Sequence, residues 1–177
     1  VTDEVTVTKY APFDVDLGED QDLCDVSEYE ITAEIIDGDP NQATFLWSTG
    51  ETTQSITVTE SGVYSVEVTI SDCTVHRSIE VLLNETPDID LGEDQNTCFE
   101  VPLVLDASPS NYEDPTVLTY KWYLNGDLIP NAAEHTLEVT EPGTYSVEVS
   151  IGACSATAEV VIDQGEIEVD LGPDLEV

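Results

Sequence analysis

What the sequence has least of is positive charge. Its 177 residues hold 3 Lys and Arg against 39 Asp and Glu, a formal net charge of −36. Such a chain repels a phosphate backbone and an anionic lipid face, which excludes nucleic-acid binding and docking on acidic membranes. No apolar run approaches the roughly 20 residues of a membrane helix, so no membrane insertion is expected in this segment. Methionine is absent even at position 1, and the opening Val1-Thr2-Asp3-Glu4 has no signal-peptide character. The expectation is an excerpt or processed piece of a longer chain. Histidine is scarce: His76 and His135 stand in separate strand-like stretches, and no Cys-x-x-Cys pair occurs, which counts against zinc. No nucleophile motif surrounds the serines. Carboxylates are so abundant that no single pair marks glycoside chemistry. The chain reads as non-catalytic, with no cofactor required.

High charge also raises the question of disorder. The 40% apolar residues answer it. They are mainly Val, Ile, Leu, Tyr and Trp, and they alternate with polar residues in short runs, which is strand chemistry. The expectation is a folded, all-β chain.

Internal repetition sets the organisation. Val15-Asp16-Leu17-Gly18-Glu19-Asp20 returns as Ile89-Asp90-Leu91-Gly92-Glu93-Asp94 and again as Val169-Asp170-Leu171-Gly172-Pro173-Asp174. Ser61-Gly62-Val63-Tyr64-Ser65-Val66-Glu67-Val68 returns as Pro142-Gly143-Thr144-Tyr145-Ser146-Val147-Glu148-Val149. Each repeat has one Trp, Trp47 or Trp122, and two Cys, Cys24 with Cys73 or Cys98 with Cys154. The domain reading is therefore one repeat over 15–88 and one over 89–168. Residues 1–14 read as the last strand of a preceding repeat, and residues 169–177 as the start of a following one.

Strands are expected at 29–36, 43–48, 54–59, 62–71 and 74–83, with equivalents at 101–107, 118–124, 136–140, 143–151 and 155–162. Turn clusters such as Asp37-Gly38-Asp39-Pro40-Asn41 separate them. In the clearest strand Tyr145, Val147, Val149 and Ile151 face inward, and Ser146, Glu148 and Ser150 face water. Six to seven short strands per repeat point to tandem immunoglobulin-like β-sandwich domains. Trp47 and Trp122 fall where such folds place a core Trp, and Tyr64 and Tyr145 look like tyrosine-corner residues.

The stretch Leu46-Trp47-Ser48-Thr49-Gly50-Glu51-Thr52-Thr53-Gln54-Ser55-Ile56-Thr57-Val58-Thr59, with the Asp-Leu-Gly-x-Asp openings, resembles the immunoglobulin-like (PKD-like) repeats of large Bacteroidota surface proteins. These include SprB-type gliding-motility adhesins exported by the type IX secretion system. The resemblance implies an extracellular, cell-surface location and a role in cell adhesion. It departs from the usual Asn-Gly-Cys before the last strand, which is Ser71-Asp72-Cys73 and Gly152-Ala153-Cys154 here.

Four cysteines allow three pairings; with two per repeat the natural one is a disulfide in each, Cys24–Cys73 and Cys98–Cys154, against the competing reading of four free buried thiols. Disulfides imply an oxidising compartment. Calcium is the one ligand to weigh, because carboxylates are plentiful and Asp16, Asp20, Asp90 and Asp94 recur at the repeat junctions. The competing reading, which the pattern favours, has these Asp capping turns through their own side chains. Asp37, Asp39 and Asn41 form a second, unrepeated cluster. Tyr112 and Tyr123 are the aromatics expected at the surface, and Ser108–Pro115 is a longer loop that could carry specificity. Asn84-Glu85-Thr86 is a glycosylation sequon only in a eukaryotic source.

The functional expectation is a structural stalk or spacer within a long extracellular repeat adhesin or surface fibre. Its partners are neighbouring repeats of the same chain, with a glycan or protein ligand carried elsewhere in the host protein. The alternatives are a carbohydrate- or protein-binding module, an accessory part of a secreted enzyme, or lateral assembly into a filament.

Overall fold

The computed structural model describes residues 12–99 and 102–165. All of 169–177, with Asp170 and Asp174, and most of 1–14 lie outside the described residues. The chain divides into two compact units, Val1–Glu85 and Thr86–Val177.

In the first unit the strands are β1 (Asp14–Asp16), β2 (Gln21–Cys24), β3 (Tyr29–Thr32), β4 (Glu34–Ile36), β5 (Ala43–Trp47), β6 (Ser55–Val58), β7 (Gly62–Ile70) and β8 (Cys73–Asn84). One sheet runs β2-β8-β7-β5, and the pairs β1-β4 and β3-β6 make up the opposing layer. The pairs are antiparallel except β2 with β8, which run parallel from Gln21↔Val81 to Cys24↔Asn84. Side chains of both layers interleave in one core: Val15, Ile31, Ile56 and Val58 from one, and Trp47, Val66, Val68, Ile79 and Val81 from the other. This is a β-sandwich, and removing that apolar area from water is its main driving force.

The second unit repeats the plan. Its strands are β9 (Gln95–Thr97), β10 (Leu103–Asp106), β11 (Thr119–Leu124), β12 (Asp127–Leu128), β13 (Thr136–Val139), β14 (Gly143–Ile151) and β15 (Cys154–Gln164). The large sheet is β12-β11-β14-β15-β9, opposed by β10-β13. Again the first strand of the sheet joins the last in parallel, with Ile162↔Gln95 and Gln164↔Thr97. Tyr145, Val147 and Val149 are buried as the alternation requires, with Trp122 fully enclosed. β12 adds an edge that the first unit lacks, made by a short turn at Asn125 (φ 53°) and Gly126 (φ 88°).

Two features depart from expectation. The Asp-Leu-Gly phrases are not bare junctions: β1 and β2 flank the first, and β9 follows the second. The unit division falls between Glu85 and Thr86. Residues 86–88 are held by the second unit: the Asn111 side-chain amide donates to the Thr86 carbonyl, and its Oδ1 accepts from the Asp88 amide.

Candidate functional site

The repeated aspartates have defined structural tasks. Asp16 Oδ1 accepts from the Gly18 amide at 2.9 Å, and Asp90 Oδ1 from the Gly92 amide at 2.8 Å. These are Asx turns, and each is completed by a glycine in the left-handed region, Gly18 at φ 82° and Gly92 at φ 80°. The turn follows directly after Leu17 or Leu91 has entered the core, and in the first unit it carries the chain from the layer of β1 to the sheet of β2. Asp20 and Asp94 then reach across to the last strand. Asp20 Oδ1 accepts from the Glu80 amide at 2.8 Å, and Asp94 Oδ1 accepts from the Val161 amide at 2.8 Å. Each carboxylate therefore continues the parallel ladder one step before β2 or β9 begins. The motif spacing follows from this geometry. One Asp makes the turn, the Gly permits it, and the second Asp satisfies a backbone donor that no strand covers. Among the described residues no group of three His, Cys, Asp or Glu gathers closely enough to hold a metal ion.

The cluster at Asp37–Asn41 is a cap rather than an unrepeated site. Asp39 accepts from the Asn41 amide and from the side chains of Asn41 and Gln42 at the start of the 3-10 turn Pro40–Gln42. These bonds, the Asn41 amide foremost, hold its carboxyl below the usual Asp range. Asp114 does the same for Pro115–Val117: the Thr116 hydroxyl, then the Thr116 amide, lower its pKa. The Asp-Pro dipeptide a few residues ahead of each Trp-bearing strand was the available signal. Asp106 is likewise lowered by the hydroxyl and amide of Ser108.

The aromatic residues divide between core and collar. Trp47 Nε1 donates to the Thr53 carbonyl and Trp122 Nε1 to the Glu134 carbonyl, so both indoles are buried with their one polar atom satisfied. The Tyr145 hydroxyl donates to the Glu141 carbonyl at 2.9 Å, and the Tyr64 hydroxyl to the Glu60 carbonyl at 2.6 Å. Tyr145 is buried, whereas Tyr64 is only half-buried at the margin of its core. Tyr112 and Tyr123, expected at the surface, are both half-buried, and Tyr112 packs against the second core.

His76 is exposed on β8 facing Glu67 at 3.7 Å, and His135 lies beside Tyr120 with ring centroids 6.4 Å apart. The loop at Ser108–Pro115 is pinned as well: Ser110 binds Asp88 through its amide and hydroxyl, Asn111 holds Thr86 and Asp88, and Asp114 caps a turn. A cleft beside Pro115, Tyr120, Glu134 and His135 brings together one imidazole, one carboxylate and one phenol, and the Thr116 hydroxyl in its lining is engaged by Asp114.

The cysteines overturn the expected pairing within a repeat. Cys73 and Cys98 are free thiols, while Cys24 and Cys154 are disulfide-bonded. The register gives the reason. Cys24 lies opposite Asn84 at the end of β8, and Cys73 begins that same strand. The strand between spans roughly 35 Å, and a disulfide tolerates no more than about 7 Å between Cα atoms. In the second unit Cys98 follows Thr97, which lies opposite Gln164 at the end of β15, and Cys154 begins β15. That gap is about 33 Å. The two cysteines of one module thus sit at opposite poles. Counting cysteines per repeat could not reveal this. A cysteine directly after a two-residue hairpin turn, as at Ser71-Asp72-Cys73, was the usable sign of a pole.

No protein-family model matches the chain, and no curated protein matches it. Solved structures do match. Sidekick-1 immunoglobulin domains 1–5 superpose with a TM-score of 0.59 at 12% identity, covering 86% of this chain and 39% of that one. Drosophila OTK extracellular domains 3–5 give 0.59 at 13% identity, covering 86% and 62%. The titin domains I67–I69 give 0.51 at 15% identity, covering 88% and 66%. The chain spans from about two-fifths to two-thirds of the length of these structures. They establish the immunoglobulin-like fold.

Proposed function

We propose that this chain is a non-catalytic spacer: a pair of immunoglobulin-like modules from an extracellular surface protein. One observation carries the reading. The residues that recur between the modules, and so mark the sequence most strongly, have tasks in building the module. Asp16 and Asp90 make turns, Asp20 and Asp94 complete a ladder, Trp47 and Trp122 fill cores, and Tyr64 and Tyr145 tie corners. A repeated binding or catalytic unit would be expected to repeat chemistry aimed outward as well.

The disulfide-bonded Cys24 and Cys154 support an oxidising, extracellular location. No helix among the described residues is long and apolar enough to cross a membrane. The net charge of −36 favours solubility at high local density, as a crowded cell surface requires. The resemblance to Bacteroidota surface repeats fits this role, since the residues that carry it are among those that build the sandwich.

The test replaces the segment, in the protein that carries it, by an unrelated pair of immunoglobulin-like modules of equal length. A spacer tolerates the exchange and fails when the pair is deleted. A binding module loses function on exchange, and retention of a labelled glycan or protein by the isolated chain would then identify the ligand class.

A further inference from the structure

The polarity of the cysteines has a chemical consequence. In the first unit the chain enters at the pole of the β7–β8 turn, because a Cβ added to Gly38 would meet both Phe13, which precedes β1, and Ile70, which ends β7. It leaves at Asn84, the far end of β8. Cys73 therefore marks the leading pole and Cys24 the trailing pole. By the same register Cys154 begins the last strand of the second unit, and Cys98 lies at its trailing pole, 3.6 Å from where a Cβ on Gly165 would stand. Neither module can close a disulfide on itself.

The equivalent positions are nevertheless disulfide positions. Cys98 occupies the place of Cys24, and Cys73 the place of Cys154. Both of those counterparts are bonded, while Cys73 and Cys98 are thiols, one half-buried and one exposed. Both thiols are thus placed where this module type forms disulfides, with the partner outside their own module.

We propose that Cys73 and Cys98 are covalent coupling sites. Each bonds to a cysteine at the complementary pole of another module of the same kind: Cys98 to a leading-pole cysteine, and Cys73 to a trailing-pole cysteine. That module belongs to a second copy of this chain or lies elsewhere in the same polypeptide. The bond forms by exchange with a small-molecule or protein disulfide. The first thiolate displaces one thiol from the donor to give a mixed disulfide, and the second thiolate displaces the other. Each cysteine loses a proton, and the donor takes up two electrons as two thiols. This inference does not rest on the spacer reading, because thiols and links are counted independently of what the array does.

The experiment has two arms. First, the isolated chain is denatured without reductant and titrated with a thiol reagent, then labelled with a maleimide and digested at Glu. Two thiols, on Cys73 and Cys98, are expected. No thiols, or peptides joining Cys24 to Cys73 or Cys98 to Cys154, would overturn the proposal. Second, the folded chain is oxidised with glutathione disulfide at high salt, which screens its charge. In parallel the protein that carries it is mapped from its native source. A second-copy partner gives oligomers joined Cys98 to Cys73, which C73S alone, C98S alone and the double variant each abolish, whereas C73S and C98S mixed together stop at a dimer. A partner in the same polypeptide gives no such oligomers, but links both cysteines to other modules in the native map. Links that join Cys73 to Cys73 as often as to Cys98 would refute the pole pairing. Unlinked Cys73 and Cys98 in the native map, with no oligomers, would refute coupling altogether.

Discussion

Removing the hydroxyl from each corner tyrosine should cost the two modules different amounts. Tyr64 and Tyr145 donate to the carbonyl four residues earlier in otherwise matching strands. The Phe variants keep the ring, so the core loses no volume. In Tyr145→Phe the site is buried, with the tyrosine 3% exposed. The Glu141 carbonyl loses a donor that water replaces poorly, and the loss should be about 1–2 kcal/mol. In Tyr64→Phe the bond is exposed, and water can take the place of the hydroxyl, so the loss should be about 0.5 kcal/mol. For a domain of 60–100 residues these correspond to roughly 4–15 °C and 2–4 °C in Tm. Differential scanning calorimetry of the chain, with each transition assigned by a core variant in the other unit, reads both numbers. Equal losses, or a larger loss for Tyr64→Phe, would refute the claim that burial sets the worth of this bond.

Three further outcomes follow from the same geometry. Gly92→Ala should destabilise the second unit by about 1–2 kcal/mol through backbone strain alone, because φ is 80° and no atom lies within 4 Å of the added methyl; denaturant unfolding with an unchanged m-value would show it. Burial, reinforced by nearby carboxylates, raises the pKa of Tyr120 and Tyr145 above the ordinary 10. Their contribution is therefore complete below the unfolded value and fades as pH rises through the folded one. The C73S/C98S variant should lose stability in its second unit above about pH 10, with the tyrosinate absorbance of Tyr120 and Tyr145 appearing at higher pH than that of free tyrosine. Millimolar calcium should shift Tm no further than sodium at equal ionic strength, since Asp16, Asp20, Asp90 and Asp94 each accept from a backbone amide. A calcium-specific rise abolished by Asp90→Ala and Asp94→Ala would reverse that reading.

The sequence showed the sandwich where side chains report on burial. Tyr145, Val147 and Val149 alternate cleanly with Ser146 and Glu148, so the strand and its inward face were legible. The first strand of each large sheet was not. Gln21-Asp22 and Gln95-Asn96 show no apolar alternation, because these strands are three or four residues long and lie at a sheet edge, with only one apolar neighbour to satisfy. Missing them hid the parallel register, and the register is what separates Cys24 from Cys73. The aspartates were legible as turn residues from the following glycine. Their second task, reaching to Glu80 or Val161, depends on a contact sixty or more residues away and leaves no local mark.

The parallel closure of each module also decides how it answers a load. The first strand of the large sheet carries on from the entering chain and runs beside the last strand toward the pole where the chain leaves. A force drawing the two ends apart therefore slides β2 along β8, and β9 along β15, instead of peeling them. Sliding loads every bond of the pair together, so the patch yields as a unit. That patch joins four residue pairs in the first module, Gln21–Cys24 with Val81–Asn84, and three in the second, Ile162–Gln164 with Gln95–Thr97. Under tension the second module is the one built to give way first, and the first would hold as the stronger shear clamp.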